Sequence, residues 1–369
     1  MTAGEACDAI KAGILRANPD ADIISIPLAD GGEGTARAVT LAACGRFVKT
    51  KVCGPFGTLN VPGDMVEAEF GLIEDGRVAV LDMASASGIE LVGRDRLNPM
   101  KATSYGTGQL ISAALDSGAQ ELIIGIGGSA TNDGGLGMIS ALGFRVLDEH
   151  GQPVGQGGEA LAKIASIDTS GADKRLGSVS IKVACDVTNP LLGAKGASAI
   201  FGPQKGATPE MVRALDAGLA QLAGAWIRAG MASNVEQPGD GAAGGVGAAM
   251  RICLGASMES GAMLVMRYAG FFRHLDKADL VITGEGMTDG QTTGGKLCSV
   301  IARESRKAGV PVALLSGALG SDANGLLCTF DYAVSISCGE TSLDAMMANG
   351  RHNLTFASEN LIRAMQLGK

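Results

Sequence analysis

Residues 121–142, ELIIGIGGSATNDGGLGMISAL, decide the fold class. Glu121 to Ile126 is a short apolar run, a glycine-rich loop follows, and the chain then takes helical apolar spacing through Met138 to Leu142. A buried strand that hands over to a loop and a helix is the repeating unit of an α/β protein with a parallel sheet. The pattern recurs on both sides. IKVACDV (181–187) leads into TNPLLGAKGAS, and FGPQKGATPE then opens a helix over 210–228. Nearer the end, DLVITG (279–284), PVALLSG (311–317) and YAVSIS (332–337) alternate with helical stretches near 297–308 and 355–366. Upstream, a helix over 1–17 stops at Asn18-Pro19, Ile23 to Leu28 reads as a strand, and residues 48–83 read as antiparallel strands separated by Gly and Asp-Gly turns.

Composition narrows the function classes. The 369 residues are 46% hydrophobic and 18% charged, which describes a compact protein and excludes a disordered one. Glycine, at 56 residues, is about twice its usual ~7% share, so tight turns or close approaches of backbone to ligand are numerous. A net charge of -8 disfavours a nucleic-acid partner, and aromatics at 4% provide no base-stacking platform. The eight cysteines form no C-x-x-C pair, as expected of reduced thiols in a cytoplasmic enzyme. No apolar run is long enough to predict a membrane span.

Three glycine-rich loops resemble phosphate cradles. Gly125 to Ala130 fits G-x-G-x-x-A after a strand, with Asp148 after the next apolar run, which motivates an alternative reading as a nicotinamide-dependent oxidoreductase of a small hydroxy acid. Its continuation, Thr131-Asn132-Asp133-Gly134-Gly135, is long and acidic for a dinucleotide turn. Gly290 to Leu297 satisfies G-x-x-x-x-G-K but has Leu297 where a magnesium-binding hydroxyl belongs. Gly202 to Gly206 offers backbone donors beside Lys205. Acidic turns accompany them, at Asp30, Glu33, Asp133, Asp186 and Asp289. Carboxylates at strand ends beside Gly-Lys loops suit phosphoryl transfer, where carboxylates hold Mg2+ and orient a hydroxyl while lysines and amides neutralise oxygens. His150, His274 and His352 have no ligand spacing.

Taken together, PLADGGEGT (27–35), GIGGSATNDGG (125–135), VACDVTNPLLG (183–193), FGPQKGAT (201–208), GAAGG (241–245) and GEGMTDGQTTGGK (284–296) resemble the bacterial type I glycerate kinases over nearly the whole chain. The resemblance implies a flavodoxin-like parallel-sheet domain made from both chain ends (1–45 and 271–369) with an inserted second α/β domain (46–270). It implies transfer from ATP, with Mg2+, to glycerate, giving 2-phosphoglycerate. The expected catalytic and metal-holding residues are Asp186 and Asp289. Substrate contacts are expected at Asp30, Gly31, Gly32, Glu33 and Asn189. Phosphate contacts are expected at Gly127, Gly128, Ser129, Lys205, Gly284, Glu285 and Lys296.

Two departures stand out. Met287 occupies a position where relatives have Arg, and relatives begin with a strand and an APDSFKGSL-type loop near whose final Leu residue 1 aligns. A natural start further upstream is therefore expected. A catalytically impaired ligand-binding homologue is the other alternative that these departures raise. The expected partners are the small molecules glycerate and ATP, with no membrane; the oligomeric state stays open, a homodimer among the options.

Overall fold

The computed structural model describes residues 1–28, 34–57, 65–288, 297–320, 323–339 and 342–367. The chain divides into two compact units, a smaller one of Met1–Asp30 with Val265–Lys369 and a larger one of Gly31–Leu264.

The larger unit is built on a sheet of β1 (Arg46–Cys53), β2 (Met65–Ile73), β3 (Val78–Asp82), β4 (Glu121–Gly125), β7 (Ser180–Ala184) and β8 (Ser257–Glu259), in the order β1-β2-β3-β4-β7-β8. A separate two-stranded ribbon pairs β5 (Arg145–Leu147) with β6 (Ser166–Asp168). The β1–β2 and β2–β3 pairs are antiparallel, as the Gly and Asp-Gly punctuation of residues 48–83 predicts, and the β3–β4, β4–β7 and β7–β8 pairs are parallel. One register row crosses the parallel part, pairing Asp82 with Gly125, Gly125 with Ala184 and Ala184 with Glu259. Each of these residues ends its strand, so the loops that follow all leave from one edge.

Helices α2 (Thr35–Ala42), α3 (Ala84–Ser87), α4 (Tyr105–Asp116), α5 (Leu136–Ala141), α6 (Ala197–Phe201), α7 (Pro209–Arg228) and α8 (Val246–Leu254) complete this unit. An apolar core joins the sheet to α3–α8, with Phe70, Leu110, Ile124, Leu219 and Trp226 among its buried members, while Val39 of α2 and Val78, Val80 and Ile123 of the sheet are buried outside that cluster. Helix α7 starts where Thr208 and Pro209 predict, since the Thr208 hydroxyl accepts the Met211 amide and Pro209 occupies the first turn.

The smaller unit has a three-stranded parallel sheet, β13 (Tyr332–Ser335), β11 (Val312–Ser316) and β9 (Val281–Thr283), in that order. A short parallel pair is formed by β10 (Met287–Thr288), which follows β9 in sequence, and β12 (Ala318–Leu319), which follows β11. Helix α1 (Ala3–Ala17) carries a capping box at Thr2 and Glu5 and packs on α12 (Leu343–Gln366). Helix α9 (Gly261–Tyr268) begins in the larger unit and ends in the smaller, and α10 (Phe271–Leu275) and α11 (Leu297–Lys307) complete the set.

Both units are α/β, as expected. The strand expected over Ile23 to Leu28 is a correction: these residues join no ladder, and Ile24 is exposed. An apolar run becomes a strand only where a neighbour accepts its backbone bonds, and no described strand pairs with this one. Helix α12 begins at Leu343, well before the expected start near 355. No helix among the described residues is long and apolar enough to cross a membrane.

Candidate active site

In open parallel sheets the ligand crevice lies beyond the carboxyl ends of the strands. In the larger unit that edge is the row Asp82, Gly125, Ala184 and Glu259. From Gly125 the chain enters the glycine-rich loop. Gly128 stands at φ 69°, its carbonyl accepts the Ile89 amide at 2.8 Å, and Gly88 and Ser129 form an isolated bridge.

Lys205 supports this loop from inside. Its ammonium donates to Ser129 Oγ at 2.8 Å and to the Thr131 carbonyl at 2.6 Å, and the side chain is fully buried. Burial pushes the Lys205 amine down to about 7, while the charge of Asp133 works in the opposite sense. Asp133 is itself wholly buried, which raises its carboxyl above the usual range. Its oxygens accept the Ser104 amide and hydroxyl at 2.8 Å each, and the Gly135 and Gly137 amides at 3.1 Å each. A carboxylate that gathers four donors welds the loop to the starts of α4 and α5. Within the same loop Thr131 Oγ1 and Asn132 Oδ1 are buried with no hydrogen-bond partner among the described residues, a kind of polar orphan that marks functional regions.

Two further segments close on this edge. The GAAGG stretch follows Asp240, whose buried carboxylate holds Arg251 through bonds of 2.8 and 2.7 Å. Ala243 within it has φ 53°, a left-handed conformation costly for a residue with a Cβ. The stretch is pinned on both sides, because the Gly244 carbonyl accepts the Gly134 amide and the Gly241 amide donates to the Asn189 carbonyl, each at 3.0 Å. Asn189 also spans its own loop, its side-chain amide donating to the Lys195 carbonyl at 2.9 Å.

Asp186 lies two residues past β7 with its carboxylate exposed. Its Oδ1 accepts the Ser260 hydroxyl and the Gly261 amide, both at 3.0 Å, which fixes the side chain against the start of α9.

In the smaller unit, Gly284 and Glu285 follow β9 at the carboxyl end of that sheet. A Cβ on Gly284 would lie 2.2 Å from the Leu315 carbonyl oxygen, so only glycine fits this turn. Thr288 Oγ1 lies 2.9 Å from both Glu285 Oε1 and Ser316 Oγ. Asp30, Gly31, Gly32, Glu33, Asp289 and Lys296 lie outside the described residues.

The larger unit thus places Gly127, Gly128, Ser129, Asp186 and Asn189 on loops that leave one edge of its sheet, with Lys205 behind the glycine loop. The oxidoreductase alternative loses its acidic residue. Asp148 Oδ1 accepts the amides of His150 and Gln152 in a turn of its own beyond β5, where it shapes a surface loop. Asp82 was not foreseen. Its Oδ2 accepts the Gly34 and Ala36 amides at 3.0 Å each, so it holds the entry to α2. The one available signal was an Asp closing the apolar run Val78 to Leu81.

A magnesium ion carried with a nucleotide uses one or two protein carboxylates together with phosphate oxygens. An exposed carboxylate at a strand end, such as Asp186, fits that modest requirement.

Comparison with known proteins agrees with this geometry. The model of the glycerate kinase family matches residues 1–366. The chain is 43% identical to the glycerate kinase of Bacillus subtilis over 370 residues, covering 100% of this chain and 95% of the relative. It is 42% identical to glycerate 2-kinase of Escherichia coli over 373 residues, with the same coverage. A crystal structure described as a glycerate kinase 2 from Salmonella typhimurium superposes with a TM-score of 0.87 at 43% identity, covering 100% of this chain and 95% of that one.

Proposed function

Because the chain belongs to the glycerate kinase family, we propose that it transfers the γ-phosphoryl group of ATP to a hydroxyl of glycerate, giving 2-phosphoglycerate and ADP. The observation that carries this reading is the row of strand ends in the larger unit, from which a buttressed glycine loop and an exposed, oriented carboxylate project on the same edge.

In the reaction the glycerate oxygen forms a bond to the γ-phosphorus, the bond from that phosphorus to the β,γ-bridging oxygen breaks, and the hydroxyl proton leaves. Little covalent chemistry falls to the protein, so positioning and charge stabilisation dominate. The amides of Gly127 and Gly128 and the Ser129 hydroxyl donate to phosphate oxygens. Lys205 acts through them, its amine holding Ser129 and Thr131 from within the protein. Asp186 faces the transferring group, and Asn189 contributes to substrate binding in the adjacent loop.

In the smaller unit the same role in phosphate binding falls to Gly284, Glu285 and Lys296, with Asp289 as a second carboxylate. Asp30, Gly31, Gly32 and Glu33 contact the hydroxy acid. Asp186, together with the nucleotide, would hold Mg2+, which would supply charge neutralisation at the phosphate oxygens.

Phosphorus NMR of the product formed from racemic glycerate and MgATP tests the reading. A phosphomonoester at the 2-position is expected; a 3-phosphomonoester would reject the assigned hydroxyl, and no consumption of ATP would reject the activity.

A further inference from the structure

On the larger unit, Phe56, Asp95, Arg96, Leu97, Asn98 and Lys101 line an open surface depression of about 470 Å³, with Arg96 and Lys101 both exposed in it. Strand β1 runs in the same direction as β3, because both are antiparallel to β2. Phe56, three residues after Cys53, therefore leaves the sheet on the side from which the glycine loop and the Asp186 loop also leave. The Thr103 amide donates to the Pro55 carbonyl at 2.7 Å and joins the two walls of the depression.

The depression also shares its support with the glycine loop. The Leu97 carbonyl oxygen lies only 2.6 Å from where a Cβ on Gly206 would stand, so the Leu97 turn packs directly on the residue after Lys205. The turn is itself built: Asn98 Oδ1 accepts the Met100 amide at 3.1 Å, and the Asn98 carbonyl accepts the Lys101 and Ala102 amides at 3.1 and 3.0 Å. This fold-back brings Lys101 to the depression that Arg96 lines.

Charge makes the location unusual. In a chain of net charge -8, residues 94–101 carry Arg94, Arg96 and Lys101 against Asp95 alone. Neither Arg96 nor Lys101 has an ion-pair partner among the described residues. Glycerate and ATP are both anions, and an acidic protein repels them unless its site mouth is locally positive.

We propose that Arg96 and Lys101 form an anion subsite of the kinase site, taking a carboxylate or phosphate group of a substrate. Arginine offers a planar fork matched to either group, and lysine adds a mobile point charge. The proposal rests on the kinase reading for the identity of the anion, not for the existence of the subsite.

Arg96→Gln, Lys101→Gln and the double variant separate the possibilities. Steady-state kinetics at low ionic strength, with glycerate and MgATP varied in turn, should show the double variant's KM raised at least about tenfold for one substrate with kcat nearly kept. A rise confined to glycerate identifies the carboxylate, and one confined to ATP identifies phosphate. The rise of that KM with added salt should also be shallower than in the wild type. Unchanged KM values for both substrates, in a variant that melts like the wild type, overturn the proposal.

Calorimetric titration with glycerate and with inorganic pyrophosphate gives a readout independent of turnover. Tenfold weaker binding of one of them by the double variant supports the subsite even if no phosphoryl transfer occurs. Equal affinity, or binding of neither ligand by the wild type, overturns it.

Discussion

The two units secure their carboxyl-edge loops by different means. In the larger unit, buried ionisable groups do it: Asp133 collects four donors, Lys205 holds Ser129 and Thr131, and Asp240 grips Arg251. In the smaller unit, hydroxyls do it. Ser316 donates to the Ala318 carbonyl at 2.7 Å, and Ser335 and Ser337 donate to the Gly317 carbonyl at 3.2 and 2.8 Å. A buried charge is costly to leave unpaired, whereas a neutral hydroxyl bond contributes only about 1 kcal/mol. Among the described residues, the loops of the larger unit are accordingly held by buried polar anchors, and Gly317 and Ala318 of the smaller unit by weaker hydroxyl bonds.

The largest expected effect comes from removing the Asp133 carboxylate from the larger unit's anchors. Asp133→Ala strands the Ser104, Gly135 and Gly137 amides, so a loss of roughly 3 kcal/mol or more is expected from about 1–3 kcal/mol per unsatisfied buried group. Trp226, the only tryptophan, lies in the core of the larger unit, and its fluorescence reads that loss as a lower urea midpoint. An unchanged midpoint would dissolve the contrast between the units.

A smaller effect is expected in the other unit. A Cβ on Gly13 would lie 2.2 Å from the Thr355 carbonyl oxygen and 2.3 Å from Ser358 Oγ, between α1 and α12. Gly13→Ala should therefore cost about 1–3 kcal/mol despite alanine's better helix propensity. Circular dichroism should register the loss while the Trp226 transition keeps its midpoint. Coincident shifts by both probes would show that the units unfold as one.

The smallest effect is a pH slope. The Lys205 amine titrates near 7 when folded against an ordinary value of 10.5, so between these values the unfolded chain binds more protons. Its contribution to stability is lowest below pH 7 and rises toward pH 10, by at most about 1.4 kcal/mol per pH unit. Urea midpoints of wild type and Lys205→Met, measured between pH 7 and 9, should diverge in favour of the wild type as pH rises. Parallel midpoints would place the lysine's charge in contact with water.

Much of this was legible in the sequence, and what was not has physical reasons. The run Glu121 to Gly125 announced a buried strand because both faces of β4 are covered, and Thr208-Pro209 announced α7 through capping chemistry. Ile23 to Leu28 has an equally apolar pattern but no ladder, because pattern reports burial tendency and pairing is a property of the neighbour. Among the candidate residues, the places of the glycine loop after β4 and of Asp186 after β7 were legible from the apolar runs that precede them. The burial of Lys205 was not, since a lysine after a glycine turn reads as solvent-facing and only the fold brings Ser129 and Thr131 to it. Asp82 and the pairing of Asp240 with Arg251 depend on contacts between distant segments that no local motif encodes.

The most direct test of the account is the turnover number of Asp186→Asn with glycerate and MgATP. An asparagine side-chain oxygen can still accept the Ser260 hydroxyl and the Gly261 amide, so the start of α9 and the Trp226 unfolding midpoint should be preserved. The account predicts that kcat falls by about 100-fold or more, the loss expected when a positioned acid–base or charge-stabilising carboxylate is neutralised. Wild-type kcat in a variant with a wild-type midpoint would contradict it and move the chemistry away from the carboxyl edge of the larger unit.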